Sequence, residues 1–140
     1  MTTPITLEKI LNLKKEMTSN SDLMKLTLKG LRKTSVSRVS KMLGTSEIET
    51  IRLLPISRAT VARLDNKGTF DLTTSEHLVF LSKVISLGVS VLENEDNFKI
   101  WLRTPCLALG NEKPLIFLNS IFGCQSVINI LGRAASGVYS

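Results

Sequence analysis

The sequence predicts an all-α fold. Apolar residues recur at helical spacing almost throughout the 140 residues. Ser, Thr, Asp or Asn precede these runs, and Gly or Pro follow them. No strand pair, internal repeat or low-complexity tract interrupts the pattern. Hydrophobic residues are 43% of the chain and charged residues 21%, enough apolar material for a packed core. The length suits one domain, or two small ones sharing a core.

Leu7, Ile10 and Leu11 sit at i, i+3 and i+4 and open the first helix, ahead of Lys14 and Lys15. Ser21 and Asp22 are expected to cap a second segment carrying Leu23, Leu26 and Leu31, with Gly30 near its end. A third helix holds Val36, Val39, Met42 and Leu43 and stops at Gly44. Next comes a short helix, a break at Pro55, and another short helix expected to end near Gly68.

Thr73 and Glu76 have capping-box spacing and head a helix over 76–92 that is apolar around most of its circumference. Such a helix belongs at the centre of a core or in a subunit interface. Asp96 and Asn97 are expected to cap the next helix, which places Phe98, Trp101 and Leu102 on one face. Pro105 ends it, because the residue before proline disfavours the α region. Pro114 suits the first position of a further helix. Gly123 is expected to separate that helix from a last one bearing Val127, Ile128 and Leu131, which Gly137 closes.

Charge is unevenly placed. Residues 1–67 hold 13 Lys/Arg against 6 Asp/Glu; residues 68–140 hold 5 against 6. The basic half suits a polyanion such as DNA, or is a solvated cationic surface. Within it, IETIRLLPISRATVARL has the layout of a helix-turn-helix. Leu54, Ile56, Val61 and Leu64 would pack its two helices, and Ser57 would cap the second. That leaves Arg58, Ala59, Ala62 and Arg63 facing outward, where arginine reaches guanine or phosphate. Lys67, just beyond, would grip the DNA backbone. Pro55 stands where a turn glycine is usual, and the bland alternative is a helical hairpin with solvated arginines.

From Leu72 to Ser140 the chain resembles the toxin-binding region of the Xre/MbcA/ParS antitoxins, partners of RES-domain toxins. LTTSEHLVFLSKV is similar to the family's entry to a long helix. WLRTPCLALGNEKPLIFL resembles its Trp-Leu, Pro, Leu-Gly and Pro-Leu pattern, and LGRAASGVYS its Leu-Gly-Arg ending. The earlier ISRATVAR segment fits the Xre-like N-terminal region of the same family. The resemblance implies an Xre-like helix-turn-helix DNA-binding region over 1–68 and a small helical toxin-binding domain over 69–140.

By the same resemblance, the N-terminal region represses its own operon, with Ser57, Arg58, Ala59, Arg63 and Lys67 at the DNA. The C-terminal region occludes the active site of a toxin that consumes NAD or uses it for ADP-ribosylation. Arg133, Gly137, Val138, Tyr139, Ser140 and the terminal carboxylate would be the blocking elements. A guanidinium fork suits carboxylates, and a tyrosine combines apolar area with a polar tip. Without the resemblance, the preferred reading of Arg133 is a surface cation that favours a helix C-terminus. Dimerisation is expected, because helix-turn-helix proteins pair to read two half-sites, together with a larger complex with the toxin. The alternative is a stand-alone transcriptional regulator without a toxin partner.

The stretch WLRTPCLALGNEKP holds the only Trp beside two prolines and a glycine. We read Trp101, Pro105, Gly110 and Pro114 as a rigid brace that aims the last helix, with the Trp101 ring buried where helices meet. The competing reading makes the loop a ligand site.

No catalytic set is expected. His77 is the only histidine, and a dyad with Cys106 or Cys124 is less economical than a structural role. Zinc-ligand spacing and phosphate-binding glycine motifs are absent from the sequence, so no metal and no cofactor are expected. Glu93, Glu95 and Asp96 suit a helix N-terminus better than a cation. No apolar run reaches the ~18 residues of a membrane span. MTTPITLEKILNLKKEM lacks the pattern of a secretory signal. With two cysteines and no disulfide framework, a reducing cytoplasm is the expected setting.

Overall fold

The segment after Asp71 forms the axis of the fold. In the computed structural model, which describes residues 6–11, 13 and 19–137, the elements run α1 (Leu7–Leu11), α2 (Asn20–Lys29), α3 (Ser35–Leu43), α4 (Glu47–Leu53), α5 (Arg58–Arg63), α6 (Leu72–Val91), α7 (Glu95–Leu102), a 3-10 turn (Leu107–Leu109), α8 (Pro114–Phe117) and α9 (Ile121–Ala135). The all-α expectation holds. Among the described residues, pairing of extended backbone is limited to isolated bridges, Arg32 with Thr69 and Cys106 with Glu112. No single helix among them is long and apolar enough to cross a membrane.

Apolar on nearly every side, α6 packs against α1, α2, α3, α7 and α9. Leu78, Leu81, Val84 and Ile85 are fully enclosed. The basic N-terminal helices and the near-neutral C-terminal ones therefore share one core. At Gly88 the Phe98 ring lies against the α6 backbone so closely that an added Cβ would sit 2.3 Å from the ring. A polar knot fixes α3 to α4: the Thr50 hydroxyl meets those of Ser40 and Thr45 and donates to the Ser46 carbonyl, and Thr50 is fully buried.

Tertiary contacts shift several helix starts from their expected positions. Ser19, rather than Ser21 or Asp22, caps α2 by accepting from the Asp22 N–H. The capping box expected at Thr73–Glu76 is not formed. The backbone at Phe70 donates to the Leu31 carbonyl, and Ser75 both accepts from Leu31 N–H and donates to Phe70 C=O. These long-range bonds start α6 at Leu72, so Thr73 already lies inside the helix. A capping box does form at Ser46–Glu49, where each side chain bonds the other's backbone N–H.

Likewise, Asn94 rather than Asp96 or Asn97 caps α7. The helix after Pro55 ends at Arg63, short of Gly68, because the Lys33 ammonium donates to the Leu64 carbonyl. Gly123 does not separate helices. It lies inside α9, where its N–H caps onto Ser120 and an added Cβ would come within 1.8 Å of the Phe117 carbonyl. The expected glycine and proline stops at Gly30, Gly44, Pro105 and Gly137 hold, as does the expected start at Pro114: Gly44 and Gly137 have φ of +74° and +72°, and Pro114 opens α8.

Candidate functional site

The last helix builds the more elaborate candidate surface. Ser120 caps its start by accepting from Gly123 N–H at 2.9 Å. Cys124, Val127 and Leu131 bury one face against the core. The opposite face carries Phe122, Ser126, Asn129 and Arg133 at i, i+4, i+7 and i+11, all exposed. Phe122 is 88% exposed, an unusual place for a phenylalanine with no partner. Gln125 donates to Asn129 Oδ1 and holds that amide in place.

Arg133 stands at the far end of this stripe, between two clefts. One, of about 550 Å³, is floored by Leu87 and Ile128 and rimmed by Gly132 and Ser136. The other, of about 360 Å³, lies toward Ala108, Leu109 and Phe117. Leu107, 84% exposed, projects from the loop beside it. At Gly132 an added Cβ meets nothing within 4 Å, so a partner's backbone can approach the helix there. Beyond it, Gly137 takes a left-handed φ that turns the chain out of the helix, with its N–H on the Ala134 carbonyl. Val138, Tyr139 and Ser140 lie outside the described residues.

The WLRTPCLALGNEKP loop is closed on itself. Cys106 N–H donates to Glu112 C=O, and Asn111 N–H returns to Cys106 C=O. Gly110 and Asn111 are both left-handed, which allows the tight reversal. Leu109 and Pro114 are buried, whereas Pro105 and Gly110 are exposed. The Trp101 ring is half-buried rather than enclosed, a correction to the sequence expectation. Phe98 and Leu102, on the same helix, take the fully buried places.

In the basic half, α4 and α5 pack through Leu54 and Val61, both buried, with Ile56 and Leu64 half-buried beside them. Ser57 caps α5 as expected, accepting from Thr60 N–H at 3.1 Å. Arg58, Ala59, Ala62 and Arg63 are all exposed. Arg58 with Ala62, and Ala59 with Arg63, are i, i+4 pairs, so small and basic residues alternate on one accessible side. Lys67 is exposed in the turn that follows, where its N–H donates to Asp65.

His77 and Cys124 converge on one acceptor, the Leu118 carbonyl at the end of α8. The imidazole Nε2–H donates at 2.8 Å and the thiol at 3.7 Å. Burial holds the imidazole pKa below its ordinary value, with the bond to Leu118 pulling the other way. Burial also pushes the thiol up to about 12. A protonated thiol is no nucleophile, so the pair acts as a joint between α6, α8 and α9. Among the described residues no group of three His, Cys, Asp or Glu side chains could hold a metal.

The motifs noted along the C-terminal half now find a counterpart. Residues 87–137 match the family model of the Antitoxin Xre/MbcA/ParS C-terminal toxin-binding domain. That span includes the whole α9 stripe, both clefts and the braced loop. In fold, the chain is similar to a chain of the crystal structure of the M. tuberculosis MbcT–MbcA toxin–antitoxin complex. The two are 20% identical, with a TM-score of 0.56 over 77% of this chain and 96% of that one. No curated protein sequence matches.

Proposed function

Starting from an Xre/MbcA/ParS toxin-binding domain at residues 87–137, we propose that this antitoxin silences a RES-domain, NAD-consuming toxin by occlusion and represses its own operon. The observation that carries the reading is the α9 surface. It joins an exposed aromatic, an exposed guanidinium and two flanking clefts on the domain that the family model describes as toxin-binding. Aromatic and arginine anchors on a rigid helix are what tight protein interfaces use.

In this reading Phe122 and Leu107 enter apolar recesses of the toxin. Arg133 forks onto an anionic group at the cleft built for the dinucleotide. Gly137 then directs Val138, Tyr139 and Ser140 into that cleft, and Trp101, Pro105, Gly110 and Pro114 keep the helix on its line. Region 69–140 is the toxin-binding part. Region 1–68 is the DNA-binding part, with Ser57, Arg58, Ala59, Arg63 and Lys67 at the promoter, acting as a cytoplasmic homodimer. Support for the DNA role is the exposed, acid-free α5 helix on the half of the chain that carries the positive charge.

The test is co-expression with the protein encoded next to it. The full chain should rescue growth and co-purify with that protein. A chain lacking residues 133–140 should fail to rescue yet still retard promoter DNA. Undiminished rescue by the shortened chain sinks the occlusion model. Promoter binding by a toxin-free chain, with no toxic neighbour, would leave a stand-alone regulator.

A further inference from the structure

The side of α6 that faces away from the C-terminal helices is covered only in part. A groove of about 500 Å³ runs between α2 and α6. Met24 and Leu28 of α2 and Leu72 of α6 are exposed along it, at 56%, 65% and 43%. Phe80 is half-buried at its middle, with the Lys83 ammonium 5.1 Å from its ring centroid. An apolar strip of this kind on a charged molecule marks an interaction surface.

The order of residues along α6 indicates the occupant. Leu72, Glu76, Phe80, Lys83 and Leu87 fall at i, i+4, i+8, i+11 and i+15, close to a straight line on a helix of 3.6 residues per turn. About its middle the line is palindromic in polarity and opposite in charge: leucine mirrors leucine, and Glu76 mirrors Lys83. If a second α6 lies antiparallel with a two-fold axis between positions 79 and 80, Glu76 faces Lys83 of the other copy. Leu72 then faces Leu87, and the two Phe80 rings meet near the axis. One isologous contact supplies two Glu–Lys pairs around an aromatic centre. Neither Glu76 nor Lys83 has an ion-pair partner within the described part of its own chain, so both are free to make these pairs.

We propose that the α2–α6 groove is the self-association surface of this protein, occupied by a second copy in antiparallel register through Glu76 and Lys83. The proposal rests on the homodimer part of the functional reading and adds its surface and register. It leaves α5 and the exposed α9 residues free for their partners, with Leu87 bordering both this contact and the cleft beside Arg133.

The experiment is sedimentation equilibrium of the full chain alone, with circular dichroism melts as a folding control. The parent should dimerise. Glu76→Lys or Lys83→Glu turns both attractive pairs into repulsive ones and should weaken the dimer by about tenfold or more. The double variant E76K/K83E restores opposite charges across the two-fold and should recover parental association. A dimeric parent with single variants that associate equally well overturns the surface and leaves pairing standing. So does a double variant that stays as weak as the singles. A parent that is monomeric throughout overturns both.

Discussion

Arg103, which caps the end of α7, donates to the carbonyl of Gly44, 59 residues earlier, at 2.8 Å. The same guanidinium reaches the Leu43 carbonyl at 3.1 Å and the Lys99 carbonyl at 3.0 Å. Arg103 thereby satisfies the orphan carbonyls at the end of α3 and clamps the basic half to the segment 87–137 that matches the family model. A lysine presents a point charge, not a fork, and cannot serve three acceptors in this geometry. Arg103→Lys should lower stability by about 1–2 kcal/mol in chemical denaturation, and Arg103→Met by somewhat more. Equal midpoints for all three chains would show that the clamp is idle.

The close approach of Phe98 to Gly88 predicts a steric phenotype. Gly88→Ala puts a Cβ where the ring lies, at 2.3 Å. Helix propensity alone would favour alanine by about 1 kcal/mol. Overpacking costs about 1–3 kcal/mol, so the net change should be destabilising. Gly88→Ala combined with Phe98→Leu should recover part of the loss, read as a coupling in the double-mutant cycle.

His77 predicts how stability depends on pH. Its folded pKa lies below the ordinary value because the ring is buried. The unfolded chain therefore takes up the proton first. Stability from this group is fully present above about pH 6.5 and falls as pH drops below it, by up to ~1.4 kcal/mol per unit until the folded pKa is reached. Urea midpoints measured from pH 7.5 to 5 should show that decline, and His77→Gln should flatten it. A parent curve level across this range would show that burial does not depress the His77 pKa in the folded chain.

The α9 stripe predicts a separation between folding and binding. Phe122 is exposed and Gly132 has open space above it. Phe122→Ser should leave the melting temperature within a degree or two while weakening capture of the proposed toxin partner at least tenfold, as hot-spot truncations do. Gly132→Ala should raise helix stability by about 1 kcal/mol and reduce capture where the partner backbone comes close. Parental capture by both variants would move the interface elsewhere.

Much of this protein was legible in its residues because the determining physics was local. Helical periodicity, the Ser57 cap, the Gly44 and Gly137 turns and the Pro114 start depend on neighbours within about four positions. The family motifs carried the C-terminal half for the same reason: they are patterns along the chain. Other features needed the folded molecule. The early start of α6 depends on bonds from Ser75 and Phe70 to Leu31, and the half-buried place of the Trp101 ring depends on its packing against a core in which Phe98 and Leu102 are fully buried. So do the role of Gly123 against Phe117 and the exposure of Phe122. A residue's own type and spacing say which face of a helix it occupies; whether another element covers that face depends on contacts between residues far apart in sequence, and only the packed chain decides it.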